Sequence, residues 1–219
     1  MATIPELIYC ANGNKRFAEI AISHGFTYGA QLPGTVYYKP EFVDQNWKNP
    51  SREKYMDCLK KYTPRMATAL DLERDEQLSE VLEWAEEAAQ YITEAVLIIP
   101  KAQGIISSLP RVIGGKPVRL AYSVPTKYGG SSLPLWDFIG WPVHLLGGRP
   151  EKQMELSHYL SAVSADGNYF GMKARRFCEH WEWPGRWIPD GGNTPDGAHY
   201  AAFALSCANI IQAWQRSRL

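Results

Sequence analysis

Pro142–Asn168 reads P-V-H-L-L-G-G-R-P-E-K-Q-M-E-L-S-H-Y-L-S-A-V-S-A-D-G-N. An apolar run, Val143–Leu146, stops at Gly147-Gly148, where two glycines give the chain freedom to turn. The next residues carry Met154, Leu156, Tyr159 and Leu160 on roughly one side, which predicts a helix. A second short run, Ala162–Ala165, then delivers Asp166, Gly167 and Asn168. Strand, glycine turn, helix and strand make a βαβ unit, and parallel strands follow from it. In barrels and open α/β sheets, chemistry collects just past the carboxyl ends of such strands. Asp166 is therefore the first catalytic candidate, although Asp-Gly-Asn is also an ordinary turn sequence.

The same alternation runs through the chain on both sides of this unit. Glu6–Cys10 predicts a strand, Lys15–His24 an amphipathic helix ended by Gly25, and Phe26–Leu32 a second strand broken by Pro33-Gly34. Thr35–Tyr38 could extend the sheet edge, and Phe42-Val43 is an apolar pair followed directly by Asp44. Lys48–Arg65 reads as a helix with a basic outer side and a local surplus of four positive charges. Met66–Leu70 is a strand ending at Asp71 and Glu73, and Asp75–Tyr91 an acidic amphipathic helix. Ala95–Ile99 is uniformly apolar, as a strand buried on both faces should be. Short helices are expected at Ile105–Leu109 and Leu135–Ile139, with a strand at Val118–Ser123 between them. A Trp-rich segment, Phe177–Ile188, a loop at Asp190–Asp196 and a long helix, Ala198–Arg216, complete the chain.

Seven clear strands and an eighth candidate, mostly alternating with helices, argue for α/β with a parallel sheet. A (β/α)₈ barrel commonly takes about 250 residues, so 219 residues imply a compact or incomplete one. The competitor is an open doubly wound sheet. No G-x-G-x-x-G follows the first strand and no Walker A motif is present, which favours the barrel. No linker or repeat divides residues 1–219, so one domain is expected.

Composition narrows the function classes. Lys plus Arg equals Asp plus Glu at 23 each, so net charge gives no global attraction to nucleic acid. No apolar run approaches the roughly 20 residues of a membrane span, and M-A-T-I-P-E lacks a secretory start. These features predict a soluble cytoplasmic protein. The cysteines, Cys10, Cys58, Cys178 and Cys207, form no C-x-x-C pair. Cys178 and His180 lack a second close pair to complete a tetrahedral set, so no metal is expected.

Asp44, Asp71, Gln103, His144 and Asp166 all fall on or beside predicted strand ends. Polar groups converging from separate strands are what a barrel active site needs. Each also has a plain structural reading. Asp71 would complement a helix dipole, Asp44 would cap the basic helix, Gln103 would bond a loop, and His144 would be a core histidine.

His144-Leu145-Leu146-Gly147-Gly148-Arg149-Pro150, followed one helix later by Ser164-Ala165-Asp166, resembles the tRNA-guanine transglycosylase superfamily. There a strand of the type H-x-L-G-x-G-x-P precedes the strand that ends in the catalytic aspartate. Ile99-Pro100-Lys101-Ala102-Gln103-Gly104 resembles the family's strand ending in Gln-Gly, and Ala69–Glu73 its purine-reading Asp-Glu strand. Phe42-Val43-Asp44 stands where an earlier strand supplies another aspartate. The spacing agrees over about two-thirds of the chain. The family's Ser-Gly-Gly turn, Cys-rich zinc site and Pro-Thr-Arg continuation are absent, with Gln45-Asn46-Trp47 and Tyr169–Arg176 in their places. With its short length, the chain is more similar to small, divergent bacteriophage members that insert 7-deazaguanine bases into DNA.

The resemblance implies a transglycosylase that exchanges guanine for a 7-deazaguanine derivative in nucleic acid, DNA rather than tRNA, in the host cytoplasm. It implies Asp166 and Asp44 as catalytic residues, and Asp71, Gln103, Gly104, His144 and Gly147 as base-binding. No cofactor is needed, the free 7-deazaguanine base being a co-substrate. Tyr37, Tyr128 or Tyr169 would stack on an extruded base. Lys127, Lys173, Arg175 and Arg176, with Trp181, Trp183 and Trp187 nearby, would meet phosphates, and a homodimer is left open. A glycoside hydrolase or other sugar-acting barrel using Asp71 or Glu73 with Asp166 is the alternative, and a non-catalytic nucleic-acid-binding barrel the third.

Overall fold

A computed structural model describes residues 4–127, 129–189 and 197–217. In chain order the elements are β1 (Glu6–Cys10), α1 (Lys15–Ser23), β2 (Thr27–Leu32), β3 (Phe42–Gln45), α2 (Arg52–Tyr62), β4 (Met66–Leu72), α3 (Leu78–Ala89), β5 (Ala95–Pro100) and β6 (Val112–Ile113). They continue with β7 (Lys116–Ser123), β8 (Val143–Leu146), α4 (Pro150–Leu156), β9 (Ala162–Gly167), α5 (Tyr169–Phe177), β10 (Glu179–Glu182), β11 (Arg186–Pro189) and α6 (Ala198–Arg216).

Eight strands pair in parallel in the order β1-β2-β3-β4-β5-β7-β8-β9, and β9 returns to β1 to close a TIM-type barrel. The barrel is complete, not truncated, and the open-sheet alternative is excluded by the β5–β7 and β1–β9 pairings. The eight strands fit a short chain because the β5-to-β7 and β7-to-β8 connections carry single 3₁₀ turns, Ile105–Ser108 and Leu135–Phe138, in place of α-helices. That side of the barrel lacks helical cover, and Val112, Trp136 and Ile139 are exposed there.

Alternation along each strand separates two cores. Ile8, Cys10, Phe42, Met66, Ala95, Leu97, Ile99 and Ala121 fill the barrel interior. Leu7, Tyr9, Val43, Val96, Ile98 and Leu120 point outward into the larger layer beneath the helices. Gly29 is required by this packing: a Cβ there would lie 2.9 Å from Ile8 and 3.0 Å from Phe42. At the amino ends of the strands, Arg65 bonds Glu6 and Glu94, and Glu94 also pairs with Arg119, which plugs the barrel floor with charge.

Several expectations change. Thr35–Tyr38 adds no strand; Tyr38 instead turns back to donate to Glu19 on α1. The basic helix is shorter than Lys48–Arg65, and its Arg52 is held by Glu83 and Glu87 of α3. The Trp-rich segment is a β10–β11 hairpin against α6, with Trp181 buried, Trp183 exposed and Trp187 between. The expected loop at residues 190–196 and Tyr128 lie outside the described residues. No helix among the described residues is long and apolar enough to cross a membrane.

Candidate active site

Ser164 and Asp166 face inward from β9, on either side of the outward Ala165, and Asp166 is 7% exposed. Its neighbour on β8, His144, is fully buried and packs on Phe42 with ring centroids 4.7 Å apart. His144 Nε2 lies 3.1 Å from Asp166 Oδ1, and the Gly147 N–H donates to the same oxygen at 2.9 Å. Among the described residues, no hydrogen bond is made to Oδ2. Gly147 has φ +66°, a left-handed conformation that brings its amide over the carboxylate. The sequence-level turn at Gly147-Gly148 therefore also serves as an anion-binding amide.

Asp44 points into the same mouth from β3. Its Oδ1 accepts from the Thr68 hydroxyl at 3.2 Å and its Oδ2 from the Gln31 amide at 3.4 Å. Gln31 is clamped in turn, its backbone N–H donating to Asn12 Oδ1 and its carbonyl accepting from Asn12 Nδ2. Burial, and after it the repulsion of the nearby Asp166 carboxylate, push the Asp44 carboxyl up to about 7, against these hydrogen bonds. Asp71 adds to that repulsion. The three aspartates thus face one another electrostatically although they come from three strands. The Cys10 thiol is also pushed up, by burial first and by Asp166 and Asp44 next, and stays neutral among them.

Asp71 reaches the mouth through an irregularity in β4. The register against β5 shifts between Thr68 and Asp71, with Ala69 and Leu70 packed on the outer core. Asp71 then pairs with the Lys101 ammonium, whose second carboxylate, Glu73, is 3.7 Å away. Neither plain structural reading of these aspartates holds. α2 begins at Arg52 with Ser51 at its N-cap, well beyond Asp44, and Asp71 meets Lys101 instead of a helix terminus.

Lys101, Gln153 and Trp47 were not legible as site residues. Gln153 of α4 is buried, and its amide donates to Gly147 O at 2.8 Å and Asp166 O at 2.6 Å, tying both halves of the anion cradle together. Trp47 leaves the carboxyl end of β3 57% exposed, with the Lys48 ammonium 5.3 Å from its ring. Trp47 follows Asp44 by three residues, whereas Gln153 is 13 residues from Asp166 on a separate element, so only the former carried a signal in the sequence.

Other expected residues are not gathered here. Gln103 and Gly104 are exposed beyond β5. Lys173 does not face outward for a phosphate: it pairs with Glu179 and lies over Phe177 and Trp187. Arg175 and Arg176 are exposed on α5, and Arg175 reaches the turn after β1, beside Gly13. Lys127 is exposed in the loop after β7. Tyr169 packs edge-on against Trp187. Among the described residues, no group of three or more His, Cys, Asp or Glu is arranged to hold a metal ion.

A model of a family of unknown function, DUF6610, matches residues 21–215, which takes in every strand of the barrel except β1 and all the acids of its mouth. The chain belongs to the DUF6610 family. No curated protein matches it. Within a DUF6610 chain the mouth therefore has to be read from its own chemistry.

Proposed function

We propose that this DUF6610 barrel is a base-exchange transglycosylase acting on guanine in nucleic acid, DNA in preference to tRNA. The observation that carries the reading is the division of roles between two neighbouring carboxyl groups. Asp166 has one oxygen fixed by His144 and Gly147 and the other without a hydrogen bond among the described residues, as a nucleophile needs. Asp44 keeps its proton to about pH 7, as a general acid needs.

The reaction then runs in two displacements. Asp166 Oδ2 attacks C1′ of the nucleotide, a C1′–O bond forms, and the C1′–N9 bond breaks with its electron pair on the departing guanine. Asp44 gives that guanine a proton. An incoming 7-deazaguanine derivative attacks C1′ through N9, passes its N9 proton back to Asp44, and releases Asp166. Charge and protons balance over the cycle, and splitting one hard displacement into two lowers the barrier. Asp71 accepts from the donor edge of the purine, and Trp47 offers a stacking face for a base that has left its duplex.

The test is incorporation of labelled guanine and labelled 7-deazaguanine into duplex DNA and into tRNA. Wild type should label DNA, and Asp166→Asn should be slower by about 10³-fold or more. Equal labelling by both proteins would remove the reading. Turnover of a simple aryl glycoside without any nucleic acid would favour a sugar hydrolase using Asp71 or Glu73 with Asp166.

A further inference from the structure

Resting on the purine reading above, we propose that Lys101, not Gln103, reads the 6-oxo group of the bound base, and that Lys101 with Asp71 forms the guanine-selective edge of the site. The exit of β5 brings this about. Lys101 follows Pro100 directly, and its backbone N–H donates to Leu72 O at 2.8 Å, so β4 and β5 stay side by side past their ends. That pairing sets the Lys101 ammonium against Asp71 Oδ2. Gln103 lies two residues farther along and is exposed, immediately before Gly104's left-handed turn at φ +77°.

The chemistry of the pair is specific. A guanine-type base presents an acceptor, O6, next to a donor, N1–H. A protein edge that complements it must place a donor beside an acceptor. The Lys101 ammonium has three N–H groups, of which Asp71 takes one and the more distant Glu73 competes for a second. Asp71 Oδ1 remains for N1–H. Both side chains are less than a quarter exposed, so a mismatched partner would strand buried polar groups. A 6-amino base presents a donor to the ammonium and an acceptor to the carboxylate, reversing both contacts. Discrimination built from unsatisfied polar groups is stronger than any built from shape.

The experiment measures binding of 7-deazaguanine and of 7-deaza-2,6-diaminopurine by titration calorimetry to the full chain, wild type and variants, with base exchange into DNA followed in parallel. Wild type should favour the 6-oxo base by roughly tenfold or more. Lys101→Met should bring the ratio close to one, Lys101→Arg should restore most of it, and Gln103→Ala should leave it unchanged. A ratio that survives Lys101→Met, or that collapses with Gln103→Ala instead, overturns the assignment while exchange in wild type leaves the transglycosylase reading standing. Wild type that binds neither base and exchanges none overturns both.

Discussion

His144 is held between Ser164 and Asp166, with Nδ1 2.8 Å from the Ser164 hydroxyl and Nε2 3.1 Å from Asp166 Oδ1. The Asp166 oxygen accepts, so Nε2 carries the hydrogen of that contact, and the Ser164 hydroxyl, which can donate or accept, is the partner of Nδ1. The imidazole therefore orients Asp166 from inside the barrel and does not itself face the mouth.

His144→Phe tests that role with little change in volume, since the ring would still lie on Phe42. Ser164 and Asp166 each lose a partner in a buried site, which should cost about 2–3 kcal/mol of stability. Base exchange should fall by about 100-fold, mainly in kcat. Thermal unfolding with single-turnover exchange separates the two effects. Unchanged exchange in a folded variant would limit His144 to packing.

Asp44 makes stability depend on pH in a defined direction. Its carboxyl sits at about 7 in the fold and far lower in the unfolded chain. Folding therefore takes up a proton between about pH 4 and pH 7. The favourable contribution is complete at acid pH and is lost as pH rises through 7. Asp44→Asn should remove that slope and gain roughly 1–3 kcal/mol over wild type at pH 8, and little at pH 4, allowing for solvent at the mouth. Denaturant titrations at the two pH values check it. Exchange by wild type should decline above pH 7 as the acid form disappears, and Asp44→Asn should be slow at every pH.

The strand-end acids were legible because Asp44, Asp71 and Asp166 each follow an apolar run with little intervening sequence, and parallel strands bring such positions to one rim. Gln153 was not, because a helix glutamine acquires its meaning only when α4 folds back over β8 and β9. Lys101 was hidden by its neighbour Gln103, which matched a motif. The basic run on α5 was misleading for a similar reason: Lys173 points to the β10–β11 hairpin, whose Glu179 neutralises it. Periodicity along one element does not report on charges brought in by another.

The charged floor should matter for stability and not for chemistry. Glu94 bridges Arg65 and Arg119, and the Arg119 side chain is 17% exposed. Glu94→Gln would leave a largely buried guanidinium without its counter-charge, at a cost of about 2–4 kcal/mol. Exchange kinetics at a temperature where the variant is folded should match wild type, because the floor lies at the strand ends opposite the acids. A large drop in exchange without loss of stability would show coupling between the two ends.

Gln153 gives the sharpest separation between binding and chemistry. One amide nitrogen holds Gly147 O and Asp166 O, so it fixes the donor on Oδ1 and the strand that carries the carboxylate. Gln153→Leu keeps the volume and takes a side-chain donor from two carbonyls, costing roughly 1–3 kcal/mol. The Asp166 carboxylate should then lose its fixed orientation while Asp71 and Lys101, on the far strands, keep theirs. Affinity for the free 7-deazaguanine base should stay within about threefold of wild type, whereas kcat for exchange should fall by at least tenfold. Equal losses in both measurements would mean that the α4 amide supports the whole mouth, and that the two functions are not carried by separate strands.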